Sequence, residues 1–278
     1  MKIGIAGLGL IGGSMAKAYK FYTDNEVFGY DKDEASFKRA VLVGAVDGRL
    51  DDHTIGECDV LIVALYPGSA VDFVVKNADK IKKGATVIDC CGVKGNVCKI
   101  LFETAEKNGF CFYGGHPMAG TQFSGFAAAR ENLFNGASMI IVPKDTDDIY
   151  KLDYVKSLFT AIGFKSITIT DAKTHDKMIA YTSQLAHAVS SAYVKSPVSN
   201  AHKGFSAGSF KDLTRVAKLN EEMWTELFLE NGDFLAQEID RMAEELKKYS
   251  DAIKAKDKEK LYNLLKEGSI AKEKSQDN

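Results

Sequence analysis

The glycines near the start of the chain constrain its fold more than any other feature. Lys2 to Ala6 reads as a short apolar strand, Gly7-Leu8-Gly9-Leu10-Ile11-Gly12-Gly13 follows at once, and a helical stretch runs from Ser14 to Phe21. A Gly-x-Gly-x-x-Gly run between strand and helix allows a tight turn, close approach of the backbone to a pyrophosphate, and packing of helix on strand. The helix N-terminus then offers free N–H groups to the anion. Gly7, Leu8, Gly9, Leu10, Ile11 and Gly12 are therefore expected to cradle a dinucleotide. The next strand, Glu26 to Tyr30, ends in Asp31, about 20 residues past the fingerprint, where an acid accepts hydrogen bonds from ribose hydroxyls. A carboxylate there repels a 2′-phosphate, which favours NAD over NADP. Asp31 could instead cap the helix that begins near Asp33.

Further strands read at Val60 to Leu65, Thr86 to Asp89, Cys111 to Gly114, Ser138 to Val142 and Ser166 to Thr170, with helical segments between several of them. This alternation predicts an α/β fold, a mainly parallel, doubly wound Rossmann-type sheet. Leu65, Tyr66 and Pro67, and the Cys90-Cys91-Gly92 run, follow strand ends and are expected along the cofactor track, although ordinary turn chemistry explains Pro67 and Gly68 equally well. His116 stands just past the expected strand Cys111 to Gly114, in Gly114-Gly115-His116-Pro117-Met118-Ala119-Gly120-Thr121. Ligands of open α/β sheets bind outside the carboxyl ends of the strands, so this histidine is a candidate base beside a redox cofactor. The chemistry expected is alcohol oxidation by hydride transfer.

After Thr170 the strand signal stops. Residues 1–170 are expected to form the NAD-binding domain and residues 171–278 an all-α domain opening with Asp171 as N-cap. Met223, Leu227, Phe228, Leu235, Ile239, Met242 and Leu246 recur mostly at three and four residues and predict one long amphipathic helix. A second helix, Ile253 to Leu265, and a disordered polar tail from Ala271 should close the chain. So narrow a helical domain has difficulty burying its apolar stripes alone, which predicts a homodimer. His187 and Gln184 share a face of the helix expected over Lys173 to Val194 and could line an interdomain cleft, or His187 could be a satisfied core residue. His53, His175 and His202 carry less weight. The loop Gly204 to Phe210 leads into Lys211-Asp212-Leu213-Thr214-Arg215, where Arg215 could clamp a carboxylate or pair with Asp212 one turn away. Trp224, the one tryptophan, reads by default as core.

Composition excludes several classes. A formal charge of −2 leaves no global basic field for nucleic acid or an anionic membrane. Five cysteines, an odd number with no Cys-x-x-Cys pair, fit reduced thiols in a cytoplasmic protein, with no metal site expected. The first strand begins at Lys2, leaving no room for a signal peptide, and no apolar run approaches the roughly 20 residues of a membrane helix.

Taken together, the motifs resemble the prephenate dehydrogenase family of tyrosine biosynthesis. The resemblance runs over nearly the whole chain. It rests on the fingerprint, Val93-Lys94-Gly95, the His116-Pro117 segment, His175-Asp176, His187, and Phe210-Lys211-Asp212-Leu213-Thr214-Arg215 followed by Met223-Trp224. It implies a Rossmann domain carrying NAD or NADP, a helical domain that makes the dimer, and oxidative decarboxylation of prephenate to 4-hydroxyphenylpyruvate. It further implies that His116 is the base, that Arg215 holds a substrate carboxylate, that His187 meets the pyruvyl side chain, and that Thr121, Gly208 and Trp224 shape the pocket. One residue departs from the pattern: many members carry a serine where this chain has Gly92, so the hydrogen bond orienting His116 must come from backbone, water or Cys91. The short C-terminal half implies no separate amino-acid-binding domain. Arogenate, with an amine in place of the keto group, is the alternative substrate, and His187 leans toward prephenate. A 3-hydroxyacid dehydrogenase and a non-catalytic dimeric NAD sensor are more distant readings.

Overall fold

A computed structural model describes residues 1–121, 123–146 and 148–275. The first half alternates strand and helix: β1 (Lys2–Ala6), α1 (Leu10–Tyr22), β2 (Glu26–Tyr30), α2 (Glu34–Leu42) and a two-residue β3 (Gly48–Arg49). It continues through β4 (Val60–Val63), α3 (Pro67–Asn77), β5 (Thr86–Asp89), α4 (Gly95–Asn108), β6 (Cys111–Met118), β7 (Ser138–Val142), α5 (Ile149–Thr160) and β8 (Ser166–Ile169). The eight strands form one sheet in the order β3-β2-β1-β4-β5-β6-β7-β8. Every neighbouring pair is parallel except β6 and β7. Two apolar cores cover its two faces. One gathers Met15, Tyr19, Phe37, Phe134 and Phe159 under α1, α2 and α5; the other gathers Val74, Val97 and Leu101 under α3 and α4. Strands buried on both sides need continuous apolar runs, and β4 (Val-Leu-Ile-Val) has one.

His116 lies inside a strand, where a position just past one was expected. β6 pairs in parallel with β5 only as far as Tyr113, then continues from Gly114 to Met118 against antiparallel β7. Pro117, which usually ends a strand, is tolerated because β6 has one neighbour there and needs fewer N–H donors. The glycines before His116 are required by close packing: a Cβ on Gly115 would fall 2.3 Å from the carbonyl oxygen of Asp89.

From Ala172 onward the chain is helical: α6 (Ala172–Ile179), a π-helical turn (Ala180–Gln184), α7 (Leu185–Tyr193), α8 (Gly208–Thr214), α9 (Glu221–Glu230), α10 (Gly232–Ala255) and α11 (Lys258–Lys274). Asp171 caps α6 through Thr174 N. Several expectations are corrected here. The helix read over Lys173 to Val194 is interrupted by the π-turn. The long helix through Met223 to Leu246 is two helices, broken at Asn231, whose side chain is buried in polar contacts. Its second half runs on to Ala255, where Lys256 takes a left-handed conformation (φ 54°) and starts the turn into α11. The tail from Ala271 is helical to Lys274, while residues 276–278 lie outside the described residues. The glycine-serine loop already turns helical at Gly208. The core of this half is small, built on Ala180, Leu185 and Leu235 with Val189, Phe228 and Met242 against them. Among the described residues no helix is long and apolar enough to cross a membrane.

Candidate active site

The fingerprint forms an open anion cradle. Gly7 has φ +90°, and a Cβ on Gly12 would stand 1.9 Å from Gly7 O, so the turn excludes side chains at both positions. A Cβ on Gly9 would meet nothing within 4 Å. Gly9 caps α1 without a side-chain bond, which leaves the N–H groups of the first turn, at Leu10 and Ile11, facing that space. Asp31 sits at the end of β2 and accepts Leu8 N at 2.7 Å and Asp33 N at 2.8 Å. It does not cap α2; Asp33 does, through Ala35 N and Ser36 N. Leu65 follows β4, with its Cδ2 2.9 Å from where a Gly7 Cβ would be. Tyr66 is the N-cap of α3 and Pro67 its first residue.

His116 projects from β6 into a polar cluster drawn from both halves of the chain. Its Nδ1 is 2.9 Å from His175 Nε2, and His175 Nδ1 is 2.7 Å from Asp176 Oδ1. Asp176 also accepts Lys94 N at 2.8 Å and Gly95 N at 2.7 Å, supplying the N-terminus of α4 with a cap that residue 94 does not provide. Behind them Lys94, fully buried, pairs with Asp89, whose oxygens also accept Cys91 N and Gly115 N. Burial opposes the Lys94 charge, but Asp89 outweighs it and holds the ammonium above its ordinary pKa. Burial, then the His175 ring and Lys94, push His116 well below the usual imidazole range. His175 is lowered by burial against the opposing pull of Asp176. Both rings are neutral at pH 7.

A second group faces this one across α9. His187 stacks on Trp224 with ring centroids 4.0 Å apart, and its Nδ1 donates to Ser183 O at 2.8 Å. Burial, reinforced by Arg215, lowers the His187 pKa. Three residues along α9, Leu227 approaches Gly92: a Cβ built there would lie 3.3 Å from Leu227 Cδ2 and 4.0 Å from His116 Nε2. Helix α9 thus joins the two histidines. Glu226, also on α9, accepts Gly68 N at 2.6 Å, a second carboxylate from the helical half on a helix N-terminus of the sheet half.

The structure brings together His116, His187, Trp224 and Gly92, with Arg215 beside His187. Trp224 is partly exposed against His187, where its default reading was core. Among the described residues the arginines in ion pairs are Arg49, with Glu34, and Arg241, with Glu238, so Arg215 does not pair with Asp212. Thr121 is exposed and its hydroxyl bonds Phe123 N and O; Gly208 opens α8 with free space around it among the described residues. Gly92 offers His116 no hydroxyl, and the side chain bonded to its ring is His175, which the sequence reading had not named for that role. Residue-by-residue reading missed the roles of His175-Asp176, Asp89-Lys94, Asn231 and Leu227, and named Gln184 only as a possible cleft residue beside His187. Gln184 Nε2 donates to Leu227 O, and Asn231 Nδ2 donates to Asp176 O and Gln184 Oε1. The His175-Asp176 pair and Val93-Lys94-Gly95 in the resemblance were the available signals.

Two family models cover the chain: "Prephenate dehydrogenase, nucleotide-binding domain" matches residues 15–168 and "Prephenate dehydrogenase, dimerization domain" residues 171–267. The cyclohexadienyl dehydrogenase of Zymomonas mobilis is 32% identical over 97% of this chain and 94% of the relative. The structure of Aquifex aeolicus prephenate dehydrogenase in complex with hydroxyphenyl propionate and NAD+ superposes with a TM-score of 0.84 at 29% identity, covering 99% of this chain and 98% of that one. Synechocystis arogenate dehydrogenase superposes with a TM-score of 0.81 at 25% identity, covering 99% and 100%. With a nucleotide cradle at one end of the sheet, an imidazole cluster at the junction of its two halves, and both halves matched in order, the chain belongs to the prephenate dehydrogenase family.

Proposed function

We propose that this chain is an NAD-dependent prephenate dehydrogenase that converts prephenate to 4-hydroxyphenylpyruvate, with residues 1–170 binding the cofactor and residues 171–278 completing the substrate cleft and pairing two copies. The observation that carries the reading is the geometry of His116, bonded through Nδ1 to His175 with its Nε2 toward Gly92 at the carboxyl end of the sheet. The cradle fits a dinucleotide: its crowded glycines, the uncapped α1 N-terminus and the Asp31 carboxylate suit a pyrophosphate and a ribose without a 2′-phosphate. When bound, NAD supplies the nicotinamide ring that takes a hydride from the ring carbon bearing the hydroxyl. His116 Nε2 accepts the hydroxyl proton as the carbon–oxygen double bond forms. Loss of the ring carboxylate as carbon dioxide leaves its bonding pair in the ring, which becomes aromatic, and the proton returns to the oxygen of the resulting phenol. Arg215 holds a carboxylate of the substrate, and Trp224 stacks behind His187 at the substrate side chain.

His187 supports a second reading. Its Nδ1 proton is committed to Ser183 O, so the neutral ring offers a bare Nε2. A bare nitrogen accepts from the ammonium of arogenate, whereas the keto group of prephenate requires His187 to take up a proton when the dianion binds. The two substrates are separated by following NADH appearance with NAD and each cyclohexadienol in turn, then with NADP. Turnover with prephenate is expected, with a KM that already rises as pH passes up through the lowered His187 value, below about 6.5. Exclusive use of arogenate would replace the substrate and keep the mechanism, and no turnover with either would overturn the enzymatic reading.

Dimerisation is argued from the helical half. Leu246 and Ile253 on α10, and Tyr262 and Leu265 on α11, remain well exposed in one copy, an apolar surface that a second copy would cover.

A further inference from the structure

The hydrogen bonds behind His116 can be assigned one proton at a time. The Asp176 carboxylate acts only as an acceptor, and it already takes Lys94 N and Gly95 N. His175 Nδ1 must therefore carry a hydrogen and donate to Oδ1. With His175 neutral, its Nε2 is bare and accepts, so the 2.9 Å contact is donated by His116 Nδ1. His116 Nε2 is left with its lone pair.

Among the described residues no hydrogen bond to the opposite side of the ring competes with that assignment. Among the described residues His175 is the one hydrogen-bond partner of His116. A hydroxyl on a Cβ 4.0 Å away could reach Nε2, but Gly92 has neither, and Leu227 fills the adjoining space with methyl groups. The nearby charges are the paired Lys94 and Asp89, both buried, and Asp176 itself.

We propose that His175 and Asp176 are positioning residues, an Asp–His–His relay anchored on the N-terminus of α4 that fixes the tautomer of His116 and leaves the base nitrogen bare on the Gly92 side. The inference rests on the reading of His116 as the base. The ring is held from behind by His175, and position 92 adds no hydroxyl in front.

The test is the 15N spectrum of the full-length protein labelled at histidine, with the His116 signals assigned by their loss in His116→Asn. At neutral pH the expected result is a pyrrole-type Nδ1 and a pyridine-type Nε2. His175→Phe removes the acceptor: the two His116 nitrogen signals should move toward an average, and kcat should fall about a hundredfold while KM holds within about twofold. His175→Gln restores an acceptor oxygen and should keep kcat within about tenfold of the parent. A protonated Nε2 in the parent protein, or His175→Phe with unchanged spectrum and kcat, would overturn the proposal. If His175→Phe fails to fold, the parent spectrum and His175→Gln decide. A chain that oxidises no cyclohexadienol would remove the reaction from His116, yet its spectrum would still report the tautomer, so the two failures are distinguishable.

Discussion

At the scale of single residues, the chemistry divides between a proton acceptor and an anion clamp. His116→Asn should lower kcat by about a hundredfold or more with little change in KM, because a base acts chiefly in the transition state. Arg215→Gln should instead raise KM by about tenfold or more, since a charge-assisted carboxylate contact of about 1.5–3 kcal/mol is lost from ground and transition states alike. Steady-state kinetics on the two variants check both, and the opposite pattern would exchange the roles. His116 stood out in the sequence for the glycines around it, although the strand expected to end before it runs on through it to Met118. His175 did not, because a histidine on a short helix looks the same in sequence whether it faces solvent, core or another ring. Its meaning depends on Lys94 N and Gly95 N, backbone atoms on which the side-chain pattern is silent.

At the scale of elements, alternating strands and helices were readable because β4, β5 and β7 are short apolar runs separated by turn residues. Two helix boundaries were misread, each for its own reason. Phe228 and Leu235 are seven residues apart, the spacing of an unbroken helix, so the apolar pattern carries across the break at Asn231. At the end of α10 the left-handed residue is Lys256, with no glycine to mark it. The break matters because Asn231 ties α9 and α10 to the π-turn and to α6 through Gln184 Oε1 and Asp176 O. Asn231→Ala strands both acceptors in a buried site and should cost about 2 kcal/mol, read as a lower urea midpoint at unchanged slope. An unchanged midpoint would mean that the contacts are dispensable.

For the molecule as a whole, the buried histidines set an acid limit on stability. His116, His175 and His187 all have pKa values lowered chiefly by burial. The unfolded chain takes up protons at these positions below about pH 6.5, while the folded chain resists until a lower pH, so the folded state weakens as pH falls from about 6.5 toward the folded values. The thermal midpoint should therefore be level from about pH 8 to about pH 7 and decline from about pH 6.5, ahead of the carboxylates near pH 4. A midpoint level to pH 5 would show these rings to be more solvated than their surroundings indicate.

The cap that Asp176 places on α4 joins residues separated by 82 positions in the chain. A ribosome releases the glycine cradle, α4 and the strand bearing His116 well before that carboxylate, which follows β8 by only a few residues. Until it emerges, α4 starts with bare N–H groups and His116 has no partner for its ring. The nucleotide half of a nascent chain can thus begin to collapse around its own two cores before its base is in working order, and a chain truncated after β8 would keep the cradle while lacking the groups that set the imidazole.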